Sequence, residues 1–157
     1  MISRGAFDKE TLEALGWMSI VYAGVEEFLA DYTAQLLLSE DLKLARNHVA
    51  PMPTDRKRQL MDDLVKHHCE IYGLPDQVEL RRVLGRLREL SEWRNDLIHG
   101  FITLDKQTRL PVAARARKNT ARPLAAEEIN RLSNELFETL VSLMKTFAES
   151  VYQPATQ

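Results

Sequence analysis

The sequence predicts an all-α fold, a four-helix bundle with a short β-hairpin between the third and fourth helices, and three observations predict it. Four segments carry apolar residues at alternating steps of three and four, the spacing of one helix face. Six glycines and six prolines among 157 residues are few for a chain of many strands and turns. A content of 45% hydrophobic and 28% charged residues is that of a single globular domain over 1–157, and it excludes a disordered or fibrous chain. A domain of this size buries about two-thirds of its unfolded surface.

The first helix opens after Asp8, a side chain suited to the N-cap, with acidic and polar residues in its first turn. Its seam is Leu15, Met18, Tyr22, Val25, Leu29, Tyr32 and Leu36. A loop containing His48, Pro51 and Pro53 follows, and Thr54 is placed to cap a second helix with Leu60, Leu64, His68 and Ile71 on its seam. Tyr72-Gly73-Leu74-Pro75 ends that helix, since glycine serves the C-terminal turn and proline cannot continue it. The third helix begins near Asp76 and carries Leu80, Val83, Leu87, Leu90 and Leu97 until Gly100 stops it. The fourth runs over about 125–151 through Ile129, Leu132, Leu136, Leu140, Leu143 and Phe147, and the tail 153–157 is expected to fray.

Between the third and fourth helices, residues 101–104 and 109–113 favour strands, and 105–108 suits a four-residue hairpin loop, within an insertion over about 101–122. That insertion holds most of the chain's basic excess. The formal charge is only −2, yet residues 1–40 carry −5, residues 100–122 carry +5 and residues 123–157 carry −3. The six cations of the basic stretch are Lys106, Arg109, Arg115, Arg117, Lys118 and Arg122. Such a run is read either as a solvated loop or as a contact for a polyanion.

A single cysteine excludes an intramolecular disulfide. The longest apolar runs, such as Leu36-Leu37-Leu38, fall far short of the roughly 18 residues that a membrane span needs, and the opening residues do not read as a signal peptide. The expectation is a cytoplasmic chain without membrane contact. His67-His68-Cys69 offers no metal site, because consecutive helical residues point about 100° apart and no second spaced pair of ligands follows. Arg56-Lys57-Arg58 at a helix start is read as solvated, and Trp17 and Trp93 as packing residues.

Arg94 breaks the pattern of the third helix. On a wheel with Leu80 at zero it falls at about 320°, inside the apolar arc that also contains Ile98, while Asn95 lies near 60° and His99 near 100°. A guanidinium keeps its charge, so burial there costs several kcal/mol unless the group is paired or wet. It pairs with a carboxylate, lines a cleft or subunit interface, or snorkels past the helix end to solvent. Glu26, bordering the seam of the first helix, is the carboxylate in reach of the first arrangement.

The string Arg94-Asn95-Asp96-Leu97-Ile98-His99-Gly100 resembles the R-x4-6-H signature of HEPN domains, the higher eukaryotes and prokaryotes nucleotide-binding superfamily. The likeness gains specificity from Asn95 directly after the arginine, from the seam-bearing helix and from a helical frame over most of 8–151. The resemblance implies an all-α bundle that dimerises and acts as a metal-independent endoribonuclease without cofactor, as toxins and defence effectors of that superfamily do. It also implies a neutralising or regulatory protein partner for a chain of the toxin kind. One branch continues the motif as His-x-Tyr, with the tyrosine modified by a partner nucleotidyltransferase. Phe101 stands at that place here, so the resemblance is to the wider superfamily.

Cleaving RNA without metal needs a base for the 2′-hydroxyl, an acid for the leaving 5′-oxygen and a cation for the charge growing on phosphate. His99 suits the base or acid, Arg94 the phosphate, and Asn95 a hydrogen bond to the backbone or to His99. Glu26 is the supporting residue, and Lys106, Arg109, Arg115, Arg117 and Lys118 are the RNA-binding candidates. One histidine per chain and two proton transfers predict a homodimer whose twofold axis brings two motifs together. The alternatives are a catalytically inactive HEPN-like nucleotide-binding or protein-interaction module, and a structural dimerisation bundle in which Arg94 and Glu26 form a specificity pair.

Overall fold

The structure, a computed structural model, describes residues 8–37, 40–72, 78–108, 110–115 and 120–151. Among these residues the chain is mostly helical, with five helices and one small antiparallel sheet. The helices are α1 (Lys9–Leu36), α2 (Leu42–Val49), α3 (Thr54–Tyr72), α4 (Val78–His99) and α5 (Ala126–Val151). The strands β1 (Phe101–Leu104), β2 (Pro111–Arg115) and β3 (Thr120–Pro123) lie between α4 and α5 and pair in the order β1-β2-β3. The chain divides into two compact units, Met1–Val21 with Glu89–Phe137, and Tyr22–Arg88 with Glu138–Gln157, whose boundaries fall inside α1, α4 and α5.

The Tyr22–Arg88 and Glu138–Gln157 unit is a helical core. Val25, Leu29, Met61, Leu80, Leu87, Leu143 and Phe147 are fully or almost fully buried there. Each such side chain contributes roughly 1.5–3 kcal/mol by leaving water. Phe147 stands edge-on to Tyr32 and Phe28, at 4.6 and 6.1 Å between ring centroids, while Phe28 and Tyr32 stack at 4.3 Å. The buried stripe of α3 is Lys57, Met61 and Val65, one position on from the predicted seam. Leu60, Leu64 and His68 are half-buried on its flank, and Ile71 lies outside the residues whose side chains are described. Lys57 is therefore not solvated as the sequence suggested. His68 Nε2 donates to the Leu36 carbonyl at 2.8 Å, so that residue pins α3 to the end of α1.

The loop expected after the first helix contains α2. Asp41 caps it by accepting from the Leu44 amide at 2.9 Å, Ala45 and Val49 bury one face, and His48 sits exposed in its last turn. Arg46 ties this short helix to α1 through ion pairs with Glu27 and Asp31. Thr54 is the first residue of α3 and not its cap. The Pro53 carbonyl accepts the amides of Arg56 and Lys57, and the Thr54 hydroxyl instead donates to Glu26 Oε1 at 2.6 Å.

In the other unit, Asp8 accepts from the Thr11 amide at 2.6 Å and so caps α1 as predicted. That bond to the backbone amide holds the Asp8 carboxyl below its ordinary range. Met18, Trp93, Leu97, Val112, Ala113, Ile129 and Leu136 form the core. Trp93 packs inside as expected, whereas Trp17 is 39% exposed, donates to Asn134 Oδ1 at 3.3 Å and lies 6.2 Å from the Phe137 ring.

The predicted hairpin has a third strand. The loop is also longer than expected, because the Asp105 carboxylate gathers the Gln107 and Thr108 amides and the Asp105 amide reaches the Leu110 carbonyl at 2.9 Å. Pairing thus resumes at Leu104 with Pro111, and β2 starts two residues later than the alternation suggested. The frayed tail foreseen at 153–157 lies outside the described residues.

Candidate functional site

α4 buries different faces at its two ends. Leu80, Val83, Leu84 and Leu87 bury the face predicted from the sequence. Leu90 and Ser91, at about 280° and 20° on the same wheel, are buried as well, but in the last two turns of the same unit the buried residues are Trp93, Asp96 and Leu97, at about 220°, 160° and 260°, so the buried face rotates there. Arg94, Asn95, Ile98 and His99 are left as one stripe at the end of the helix. Arg94 and Asn95 are half-buried, His99 is exposed, and Ile98 is 40% exposed where the wheel had placed it in the core.

The cause of the rotation is the sheet. Gly100 follows α4 directly, its amide donates to the Asp96 carbonyl at 3.0 Å, and β1 begins at the next residue. A Cβ on Gly100 would stand 2.4 Å from the Asp96 carbonyl oxygen, 3.2 Å from Ala113 Cβ and 3.2 Å from the Ala114 carbonyl oxygen. Only glycine lets β2 come this close to the end of the helix. β3 carries Arg122 opposite Ala113, and Arg122 Nε donates to Asp96 Oδ2 at 3.4 Å. The carboxylate is 2% exposed and the guanidinium 37%. Asp96 was passed over in the sequence because the wheel turns it away from the seam; the chain that covers it arrives 26 residues later.

Arg94 Nη1 donates to Asn95 Oδ1 at 3.1 Å, so the two adjacent polar side chains orient each other. The amide nitrogen of Asn95 can then serve as a donor to a ligand. Glu26, the supporting candidate, accepts from the Thr54 hydroxyl within its own unit. Of the RNA-binding candidates, Lys106 is exposed in the β1–β2 loop and Arg115 ends β2, while Arg109, Arg117 and Lys118 lie outside the described residues. Among the described residues of that basic stretch, Arg122 forms an ion pair with Asp96 of the motif helix.

A cavity of about 360 Å³ in this unit is lined by Asp8, Glu10, Leu110, Pro123 and Glu127 among others, and it holds none of the motif residues. Its acidic wall is unsuited to a phosphate backbone. Among the described residues, no group of three or more histidine, cysteine, aspartate or glutamate side chains is placed to hold a metal ion, and no helix is long and apolar enough to cross a membrane. Comparison of the chain with protein-family models, with curated proteins and with solved structures found no match.

Proposed function

We propose that the chain is a metal-independent endoribonuclease of the HEPN type, working as a homodimer on RNA without a cofactor, with its long helices arranged as a four-helix bundle. The observation that carries this reading is the stripe at the end of α4. Three polar residues of the motif, Arg94, Asn95 and His99, keep access to solvent on the face that continues an apolar seam. A stripe of that kind is suited to a ligand or a second subunit. In the reaction the 2′-oxygen attacks the adjacent phosphorus, the P–O2′ bond forms and the P–O5′ bond breaks. His99 of one protomer takes the 2′-hydroxyl proton and His99 of its partner gives a proton to the 5′-oxygen. Arg94, steadied by Asn95, meets the charge on the non-bridging oxygens, where a permanently charged planar fork fits best.

The basic stretch, with Lys106, Arg109, Arg115, Arg117, Lys118 and Arg122, supplies backbone contacts for the RNA and makes binding sensitive to salt. A toxin or defence role, with a neutralising protein partner, is the biological setting that suits such an activity. The test is RNA cleavage by purified protein in EDTA, with His99→Ala as control. Cleavage lost in a His99→Ala protein that still folds and dimerises supports the reading. Cleavage that survives that substitution, or that requires a divalent ion, overturns it.

A further inference from the structure

The structure points to a role for a residue outside the motif's polar triad. We propose that Asp96 is a positioning residue, which holds Arg122 against the last turn of α4 so that the outer end of this guanidinium becomes a second phosphate contact for the site. The proposal rests on the endoribonuclease reading above. Three observations carry it. The Asp96 side chain is almost wholly buried, and a buried carboxylate needs a charged or hydrogen-bonding partner held in place, a part that the half-exposed Arg122 guanidinium takes. The described bond to Asp96 uses Nε of Arg122, and the side chain remains 37% exposed, which leaves the Nη edge to donate to a bound oxyanion. Asp96 is also the i,i+3 neighbour of His99, about 60° from it on the wheel, so a guanidinium fixed to Asp96 stands on the His99 side of the stripe.

Charge alone predicts the opposite effect. Asp96 is an anion, and removing it should by simple attraction tighten the grip on RNA. If Asp96 positions Arg122, removing it should slow cleavage. The experiment compares wild type, Asp96→Asn, Arg122→Gln and Arg122→Lys in two measurements. One is binding of a 2′-deoxy-substituted oligonucleotide across a salt series, and the other is the rate of RNA cleavage in EDTA.

Arg122→Gln is expected to lower the steepness of log K against log salt by about 0.7, the share of one phosphate contact on a single strand. Arg122→Lys restores that steepness but not the cleavage rate, since an ammonium lacks the two-pronged fork. Asp96→Asn is expected to cleave about 10- to 100-fold more slowly, the scale of a misplaced contact. An Asp96→Asn protein that binds more tightly and cleaves at the wild-type rate overturns the proposal, as does an Arg122→Gln protein with an unchanged salt slope. Should Asp96→Asn fail to fold, Arg122→Lys and Arg122→Gln decide the matter through the salt slope and the rate. Wild-type protein that neither binds nor cleaves RNA overturns the endoribonuclease reading and this proposal together, whereas unchanged variants of an active wild type overturn this proposal alone.

Discussion

The Glu26 carboxylate accepts a hydrogen bond from the Thr54 hydroxyl at 2.6 Å, which sets an anion beside the first residue of α3. A negative charge is favoured at a helix N-terminus, and the cations Arg56, Lys57 and Arg58 that open α3 add to that attraction. Glu26 thus places a negative charge at the start of another helix. Glu26→Ala and Thr54→Val should each lower stability by about 0.5–1.5 kcal/mol. The double variant should lose less than the sum, as read from denaturant midpoints in a double-mutant cycle. Additive losses would show that the two side chains do not act on each other.

Gly100→Ala should destabilise the protein by about 1–3 kcal/mol, because its methyl group would enter the space of the Asp96 carbonyl oxygen at 2.4 Å. Thermal melting measures the loss. Gly16, whose Cβ would meet nothing within 4 Å, provides the control, and Gly16→Ala should be neutral or mildly stabilising.

Acid should weaken the fold through groups whose carboxyls the structure holds below their ordinary range. Asp8 is held down by the Thr11 amide and Asp105 by the Thr108 amide, while Glu79 and Glu128 are held down by the guanidinium groups of Arg82 and Arg131. A depressed folded-state pKa means that the folded state binds the proton less readily. The contribution is therefore fully present above about pH 4–5 and is lost as pH falls through the lowered values. Denaturant midpoints measured from pH 6 down to pH 2.5 should fall, and the fall should be shallower for Asp8→Asn, which can still cap α1 but cannot titrate.

Phe147→Ala should cost about 3–5 kcal/mol, since the ring is fully buried and meets Phe28 and Tyr32 edge-on. Phe137→Ala on the same helix, at a ring that is 46% exposed, should cost much less. Equal losses at the two positions would contradict the burial described for α5.

These cases also mark how much could be read before the fold was seen. The seam of α5 was legible in full, because Ile129, Leu132, Leu136, Leu140, Leu143 and Phe147 repeat at helical spacing and all are buried. α2 was missed although Asp41 signalled its start, since eight residues between two loops make too few turns for a period to stand out. β3 was missed because Thr-Ala-Arg-Pro has little strand character of its own and is held by pairing with β2. The candidate site divides in the same way. Arg94, Asn95 and His99 were found because they stand together in the chain. Asp96 was not, because its burial depends on a strand distant in sequence, and the partner of Glu26 depends on a loop whose path no local pattern encodes.

The turn of the buried face along α4 has a consequence for its alignment. A helix that buries one face can lose a residue and slide, whereas the Glu89–His99 part of α4 buries Leu90 and Ser91 on one face and Trp93, Asp96 and Leu97 on another within a single unit. Deleting a single residue between Glu89 and Glu92 would screw everything beyond it back by about 100° and one rise of about 1.5 Å. Arg94 would then take the buried place of Trp93, and Leu97 would take the place of Asp96 opposite Arg122. Many substitutions in that stretch leave the phase untouched. The number of residues between Leu90 and Arg94 is thus as much a part of the site as their identity.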